Sequence, residues 1–295
     1  MIPNIKRAMR LAGMRPLPRL PARSPMDLRG KRILLTGASS GIGAVAACKL
    51  AAEGASVIAV ARRESLLAEV VERITASGGD AVAINADLSN LEEVDAVVEA
   101  VGPVDILINN AARSIRRPLL ESLERWHDIE RVMALNYYAP LRLIRGLAPG
   151  MIERGDGHII NIATWRVLPE SSPMFAAYNA SKAALSAVSR VIDTEWGHAG
   201  VHSTTIYYPL VATPMIAPTR AYSGLPALTA DEAAEWMVTA AKTRPIRIAP
   251  RKALALRALD VIAPRMLNNI LERETNRMNG RTIEAVKPEP AESIP

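Results

Sequence analysis

Residues Ile33-Leu34-Leu35-Thr36-Gly37-Ala38-Ser39-Ser40-Gly41-Ile42-Gly43 combine a short apolar run with three closely spaced glycines. The apolar run predicts a buried strand and the residues from Ala44 onward predict a helix, so the glycines fall in the turn between them. Glycine lets the backbone bend sharply and lets a phosphate approach without a Cβ in the way. The N-terminus of the following helix offers unpaired N–H groups and the positive end of the helix dipole. The stretch is therefore either a seat for a pyrophosphate or a turn whose glycines are purely structural.

Predicted strands and helices alternate along the chain as far as residue 249. We expect strands at residues 33–35, 56–60, 81–84, 104–108, 158–162, 203–208 and 246–249, and helices at residues 44–53, 64–77, 91–101, 123–149, 176–199 and from 229 onward. This alternation is typical of βαβ units in a parallel sheet, and the near-continuous apolar strands indicate a sheet covered on both faces. Ligands of such sheets bind beyond the carboxyl ends of the strands, so the residues there are the candidates for function.

Charge and composition predict three parts: a basic, Pro- and Arg-rich arm (1–29), an α/β domain (30–250) and a basic amphipathic extension (251–295). The net charge is +6, but residues 1–32 contribute +8 and residues 242–295 contribute +5, so the stretch between them is acidic. Basic charge outside the domain argues against nucleic-acid binding, and it is suited to contact with an anionic membrane surface. The arm is expected to lie poorly ordered on the domain, and no stretch is long and apolar enough to span a bilayer.

The end of the second predicted strand indicates which dinucleotide binds. Ala61 is followed by Arg62 and Arg63, where an acidic residue would grip the ribose 2′-hydroxyl of NAD. The missing acid and the guanidinium groups together favour a 2′-phosphate, and hence NADP(H) over NAD(H). The alternative is that the two arginines only solvate the start of a helix. Asp87, after the third strand, either holds an adenine amino group or caps a turn.

A tyrosine and a lysine lie one helical turn apart in Tyr178-Asn179-Ala180-Ser181-Lys182. Positions i and i+4 share one face of a helix, so an ammonium near the phenol is expected to lower the pKa of the tyrosine and prepare it for proton transfer. Taken alone, such a pair is usually surface packing.

Taken together, these motifs resemble those of the classical short-chain dehydrogenase/reductase family. The matching motifs are Thr36-Gly37-x-x-x-Gly41-x-Gly43, Asn109-Asn110-Ala111, Asn136 after the fourth strand, Tyr178-x-x-x-Lys182, and Pro209 and Thr213 after the sixth strand. The resemblance covers residues 30–250. It implies a Rossmann-type doubly wound α/β fold with about seven strands in the order 3-2-1-4-5-6-7, and a homodimer or homotetramer.

The resemblance also implies roles for individual residues. Tyr178 is expected to be the general acid/base, Lys182 to bind the nicotinamide ribose, and Asn136 to hold a water that links Lys182 to solvent or to be a buried amide bonded to backbone. The expected cofactor site consists of Gly37, Ser39, Ser40, Gly41, Ile42, Gly43, Arg62, Arg63, Asp87, Leu88, Asn109, Ala111, Tyr178, Lys182, Pro209, Val211 and Thr213.

Three residues depart from the family pattern. Thr164 stands where a serine would hold the substrate oxygen; its hydroxyl can donate the same hydrogen bond, but its methyl narrows the site. Ala112 and Leu210 replace glycines, and a leucine is strained wherever the backbone needs a positive φ.

Two apolar segments lie outside the motifs. Residues 214–228, including Met215, Ile216, Pro218, Tyr222 and Leu225, predict a lid over an apolar substrate such as an acyl chain, a steroid-like ring or an aromatic ketone, or else a plug against a neighbouring helix. Residues 251–278 predict an amphipathic segment that packs on the domain, on a partner subunit or on a membrane surface.

The sequence thus predicts an NADP(H)-dependent oxidoreductase acting on a carbonyl or secondary alcohol. The alternative is a catalytically weak dinucleotide-binding scaffold with basic interaction tails. The four histidines are spread along the chain, so no metal site is expected. The single cysteine suits a reducing compartment, and we expect a cytoplasmic protein that could contact a membrane peripherally.

Overall fold

The structure is a computed structural model that describes residues 12–16, 25–217, 219, 222 and 224–279. Within these residues, seven parallel strands form one sheet in the order β3-β2-β1-β4-β5-β6-β7, which confirms the predicted fold. The strands are β1 (Arg32–Thr36), β2 (Ser56–Ala61), β3 (Asp80–Asn85), β4 (Ile106–Asn109), β5 (Gly157–Thr164), β6 (Val201–Tyr208) and β7 (Arg247–Ile248).

Helices cover both faces of this sheet. In chain order they are α1 (Gly41–Ala52), α2 (Glu64–Ala76), α3 (Leu91–Val101), α4 (Leu119–Ser122), α5 (Trp126–Met133), α6 (Ala139–Glu153), α7 (Ala176–Trp196), α8 (Ala230–Thr243), α9 (Arg251–Ile262) and α10 (Pro264–Asn279). Alternate residues of each strand enter different cores: Ile33 and Leu35 pack in the core with α1 and α8, whereas Leu34 packs in the core with α3 and α6. This alternation explains why the strands are apolar throughout.

The helical region predicted for residues 123–149 is confirmed, but it begins at Trp126, extends to Glu153 and changes pitch in its middle. The chain forms α5, then the π-helical segment Ala134–Tyr138, then α6. The π-helical segment carries Asn136, whose side chain bonds both backbone groups of Arg113 in the loop after β4. The wider turn accommodates one extra residue, as π-bulges do at functional sites.

Both ends of the described chain meet beside the sheet. Pro16 pairs with Pro250 in an isolated antiparallel bridge, and the backbone N–H of Arg251 donates to the carbonyl of Arg15 (3.2 Å). The predicted amphipathic segment is divided at Ala263 into α9 and α10, and α10 begins at Pro264. Leu267 and Leu271 of α10 are buried, whereas Val261 and Ile262 at the end of α9 are 80% and 82% exposed. None of the described helices is both long enough and apolar enough to cross a membrane.

Candidate active site

A cleft of about 1090 Å³ opens at the carboxyl ends of β1, β2, β4, β5 and β6. Every residue predicted for the cofactor site lines it except Asn109, and so do three of the four predicted catalytic residues, Thr164, Tyr178 and Lys182. The side chains of Asn109 and Asn136 are buried outside the cleft. The parallel sheet therefore brings almost the whole predicted site to one place.

The glycine turn after β1 is fixed by close backbone contacts. Gly37 has φ of +68°, and a Cβ built on it would lie 2.9 Å from the Cα of Ala111. A Cβ on Gly43 would lie 2.2 Å from the carbonyl oxygen of Gly37, a distance that excludes any side chain. Ser40 is the N-cap of α1 but makes no side-chain capping bond, so the N–H groups of the first turn remain available to an anion. This cradle fits the pyrophosphate of a dinucleotide.

The end of β4 is tied to this turn through Thr36 and Asn110. The Thr36 hydroxyl accepts from the backbone N–H groups of Asn110 (2.9 Å) and Ala111 (3.0 Å). The Asn110 side chain donates to the carbonyl of Thr36 (2.9 Å). Asn109, which the resemblance placed at the adenosine ribose, instead donates to Asn161 (2.8 Å) beneath the cleft. Its side chain lies outside the residues that line the cleft, so a role of Asn109 at the adenosine ribose stays a prediction.

Two arginines and Asp87 stand at the edge of the cleft beyond β2. Arg63 donates to the hydroxyls of Ser39 (3.1 Å) and Ser40, over the glycine turn. Arg62 forms an ion pair with Asp87 (3.2 Å). Burial of Asp87 acts to raise its pKa, but hydrogen bonds from Ser89 and Arg62 outweigh it and hold the pKa below its usual value. Asp87 is therefore ionised, and both arginines lie where a ribose phosphate could reach them.

Tyr178 and Lys182 both face the cleft from α7, but they are not directly bonded to each other. Lys182 is buried and its Nζ donates to the carbonyl of Ile162 (2.8 Å). Burial lowers the pKa of Lys182 to about 7. The pKa of Tyr178 is raised to about 12. Burial is the largest cause, Tyr222 adds to the rise, and Arg166 partly offsets it. The expectation that Lys182 lowers the pKa of Tyr178 is wrong for this arrangement, because desolvation of the phenol dominates.

Asn136 joins three parts of the chain beneath the catalytic helix. Its carbonyl accepts from the N–H of Arg113 (2.8 Å), and its amide donates to the carbonyl of Arg113 (2.9 Å) and to the Ser181 hydroxyl (3.0 Å). It is fully buried. The structure therefore has the buried amide of the second sequence-based interpretation, and these bonds hold the loop after β4 against α7.

The departures from the family pattern are accommodated without strain. Thr164 ends β5 and its hydroxyl faces the cleft, accepting a long bond from the N–H of Arg166 (3.4 Å). Leu210 and Ala112 are not among the described non-glycine residues with positive φ. The carbonyl oxygen of Leu210 accepts a hydrogen bond from the backbone N–H of Leu228 (2.9 Å), which is the last residue of the predicted lid. A leucine is therefore tolerated there, because no left-handed backbone is needed.

The predicted lid and both terminal segments also contribute residues to the cleft. Lid residues that line it are Pro214, Met215, Ile216, Thr219, Tyr222, Leu225 and Pro226; Pro218 lies outside the described residues. Sequence reasoning missed Met14, Arg166, Lys252 and Arg277, which also line the cleft. Arg166 follows Thr164 by two residues and could have been found from that spacing. The other three depend on how the chain ends pack, for which the sequence carries no local signal.

The described residues contain no cluster suited to a metal ion. No three His, Cys, Asp or Glu side chains among them are grouped closely enough to hold one. His158 is buried, bonds Thr204 (2.8 Å), and has its pKa lowered by burial to about 3, so it stays neutral.

Comparison with known proteins identifies the family. The family model of short chain dehydrogenases matches residues 31–223. The chain therefore belongs to the short-chain dehydrogenase/reductase family and is an oxidoreductase of the kind that binds a nicotinamide dinucleotide.

Individual relatives cover most of the chain. A fatty acyl-CoA reductase of Mycobacterium tuberculosis is 68% identical over 279 residues, which span 91% of this chain and 95% of the relative. A fatty acyl-CoA reductase of Acinetobacter baylyi is 46% identical over 249 residues, with 83% and 84% covered. Among solved structures, a short-chain dehydrogenase from Streptomyces avermitilis has a TM-score of 0.69 and 29% identity, with 85% and 99% covered. A metagenomic short-chain oxidoreductase in complex with NADP has a TM-score of 0.62 and 30% identity, with 73% and 92% covered.

Proposed function

We propose that this protein is an NADP(H)-dependent reductase that acts on the carbonyl carbon of a fatty acyl thioester. The observation that carries the proposal is the continuity of one cleft. Tyr178, Thr164 and Lys182 line it, and so do the apolar lid residues Ile216 and Leu225. An acyl chain would be sheltered from water along these lid residues, with its carbonyl at the catalytic residues. Two relatives that are named fatty acyl-CoA reductases support this substrate class.

The protonation state of Tyr178 suits the proposed reduction step. With a pKa of about 12, Tyr178 is protonated at neutral pH and can donate a proton to the substrate oxygen. Thr164 would hold the carbonyl oxygen by its hydroxyl, and Lys182 would bind the nicotinamide ribose. When bound, the reduced cofactor supplies the hydride. For a thioester, hydride adds to the carbonyl carbon, the C–S bond breaks, the thiolate takes a proton, and an aldehyde and a thiol are released.

The preference for NADPH rests on Arg62 and Arg63. Both follow β2 and line the cleft, at the strand end where this fold binds the ribose of a dinucleotide. Asp87, the carboxylate that lines the cleft beside them, is paired with Arg62.

The test measures both thiol release and NADPH consumption. The full chain is incubated with a long-chain acyl-CoA or a fatty aldehyde, and with NADPH or NADH. We expect NADPH oxidation with one thiol released per acyl-CoA consumed, and loss of both in Tyr178→Phe. Tight dinucleotide binding without turnover of either substrate would overturn the proposal in favour of the scaffold alternative. Preference for NADH would overturn the assignment of Arg62 and Arg63.

A further inference from the structure

The cleft carries more positive charge than a dinucleotide accounts for. Its basic lining residues among those described are Arg62, Arg63, Arg113, Arg116, Arg166, Lys182, Lys252 and Arg277. The only acidic ones are Asp87 and Glu274. Arg62, Arg63 and Lys182 are used by the cofactor. Of the other basic residues, we call Arg166, Lys252 and Arg277 the cationic rim, and Glu274 is the carboxylate that lines the cleft with them.

Arg166 is the innermost member of the rim. Its guanidinium carbon lies 5.5 Å from the centre of the Trp165 ring and 5.2 Å from that of Phe175. Phe175 in turn contacts the ring of Tyr178, with 6.2 Å between the ring centres. Within the described part of the chain, no carboxylate is in ion-pair contact with Arg166. Burial lowers the pKa of Arg166, which reflects the cost of holding this charge away from water. A group of this kind is stabilised by an anion arriving with the substrate.

The outer members come from the C-terminal helices. Lys252, in the first turn of α9, places its Nζ 5.6 Å from the centre of the Trp165 ring, on which Arg166 also rests. Arg277 is near the end of α10 and is exposed at the mouth. Glu274, one turn before Arg277, is the acidic side chain that lines the cleft with them. Arg166 and Lys252 therefore share the Trp165 ring, and Arg277 lines the same cleft from the end of α10.

We propose that the cationic rim binds the phosphate groups of coenzyme A, the carrier of the acyl chain. The inference rests on the proposed function and deepens it. A fatty acyl chain or a fatty aldehyde carries no anionic group that these cationic side chains could bind. Coenzyme A carries its phosphates at the end far from the thioester, and Lys252 and Arg277 enter the cleft from the C-terminal helices rather than from α7, which carries Tyr178. Arginine and lysine are the side chains that bind phosphate most strongly, by charge-assisted hydrogen bonds.

The first test is calorimetric binding of free coenzyme A to the full chain saturated with NADP⁺, so that cofactor phosphates do not compete. Pantetheine, which lacks the phosphates, is the matched ligand. We expect coenzyme A to bind at least tenfold more tightly than pantetheine. The double variant Lys252→Ala/Arg277→Ala should weaken coenzyme A binding about tenfold, since each of these two solvent-exposed side chains contributes about threefold.

Two controls separate charge from packing. Arg273→Ala removes an exposed arginine of α10 that does not line the cleft, and coenzyme A binding should stay within twofold of the parent. Lys252→Arg/Arg277→Lys keeps both charges and should restore most of the affinity. Inorganic phosphate is titrated as a competitor to show whether the rim recognises phosphate alone.

The outcomes are decisive in both directions. Equal affinity for coenzyme A and pantetheine, or equal weakening by Arg273→Ala and the double variant, would overturn the inference. If coenzyme A binds but acyl-CoA is not reduced, phosphate binding by the rim would be supported and the proposed function would be overturned. If the enzyme is active, its preference can be measured as kcat/KM for acyl-CoA divided by kcat/KM for the acyl-N-acetylcysteamine thioester, which lacks the phosphates. This ratio should fall about tenfold in the double variant, the same factor as the loss of coenzyme A binding.

Discussion

The Nζ of Lys182 donates a 2.8 Å hydrogen bond to the carbonyl oxygen of Ile162, which joins the catalytic helix α7 to the end of β5 two residues before Thr164. The bond fixes the distance between the residue proposed to hold the substrate oxygen and the residue proposed to donate the proton. It also buries an ammonium group that has no carboxylate partner among the residues described. Lys182 thus joins α7 to β5 by a hydrogen bond, and its burial makes the charged form of the amine unfavourable.

That cost predicts a specific dependence of stability on pH. Burial lowers the pKa of Lys182 to about 7, against 10.5 for an unperturbed lysine. Between these two values the unfolded chain holds a proton that the folded chain does not, so the stability contribution of Lys182 rises with pH across this window. Below pH 7 the folded protein must hold the buried charge, and the penalty is complete.

The measurement is the free energy of unfolding in urea for the parent and for Lys182→Met at pH 6.5, 8 and 9.5. The free energy of unfolding of the variant minus that of the parent should be highest at pH 6.5. This difference should fall steadily toward pH 9.5. A difference between the two proteins that stays constant over this range would contradict the assigned pKa.

Tyr178 should control the rate and leave cofactor binding intact. Removing a positioned proton donor costs about 10²- to 10⁴-fold in rate. We therefore expect Tyr178→Phe to lose kcat by that factor, while the Kd for NADPH from fluorescence titration changes less than threefold. Because the pKa of Tyr178 is about 12, kcat of the parent for reduction should show no fall attributable to this phenol between pH 7 and pH 10. A large loss of NADPH affinity in the variant would show that the ring shapes the cofactor site.

Arg62 and Arg63 should determine the choice between NADPH and NADH. Arg63 already donates to Ser39 and Ser40 at the phosphate turn, whereas Arg62 is held by Asp87. We expect Arg63→Ala and Arg62→Ala each to weaken NADPH by about tenfold, as loss of one charge-assisted contact does, and to leave NADH nearly unchanged. Arg190→Ala, an exposed arginine on α7, is the matched control. Parallel weakening of both dinucleotides would mean that the arginines shape the turn rather than read the phosphate.

Asn136 should act through stability more than through contact with substrate. Its replacement by alanine leaves the N–H and C=O of Arg113 without their partner, at about 1–3 kcal/mol for unsatisfied buried groups. Urea unfolding of Asn136→Ala, Ser181→Ala and the double variant measures this cost and the coupling between the two residues. Because Ser181 shares one bond with Asn136, we expect the double variant to be less destabilised than the sum of the singles. Strict additivity would show that the bond between them contributes nothing.

The sequence predicted the parts of this protein that local pattern controls. The strand apolarity of residues 33–35 and 158–162 implied a sheet buried on both faces, and the glycine spacing of residues 37–43 implied the turn, because each requirement is met within a few residues. It did not predict that Asn109 turns away from the cleft toward Asn161, since that depends on pairing between β4 and β5. Nor did it predict the environment of Tyr178, because the burial of its phenol and the nearby charges of Tyr222 and Arg166 arise only when the chain folds.

The predicted contact with a membrane surface can be tested at the exposed apolar side chains of α9. Val261 and Ile262 are 80% and 82% exposed at the end of α9, close to Arg257 and Arg265, an arrangement that suits docking on an anionic bilayer. We expect the full chain to sediment with vesicles containing anionic phospholipid, and Val261→Ser/Ile262→Ser to sediment several-fold less. Val82→Ser, on β3, removes a valine that is 52% exposed and serves as the control. If the double variant and the control partition equally, these side chains do not enter the lipid, and their exposure must be explained by contact with a partner subunit, which the mass of the protein in solution would then reveal.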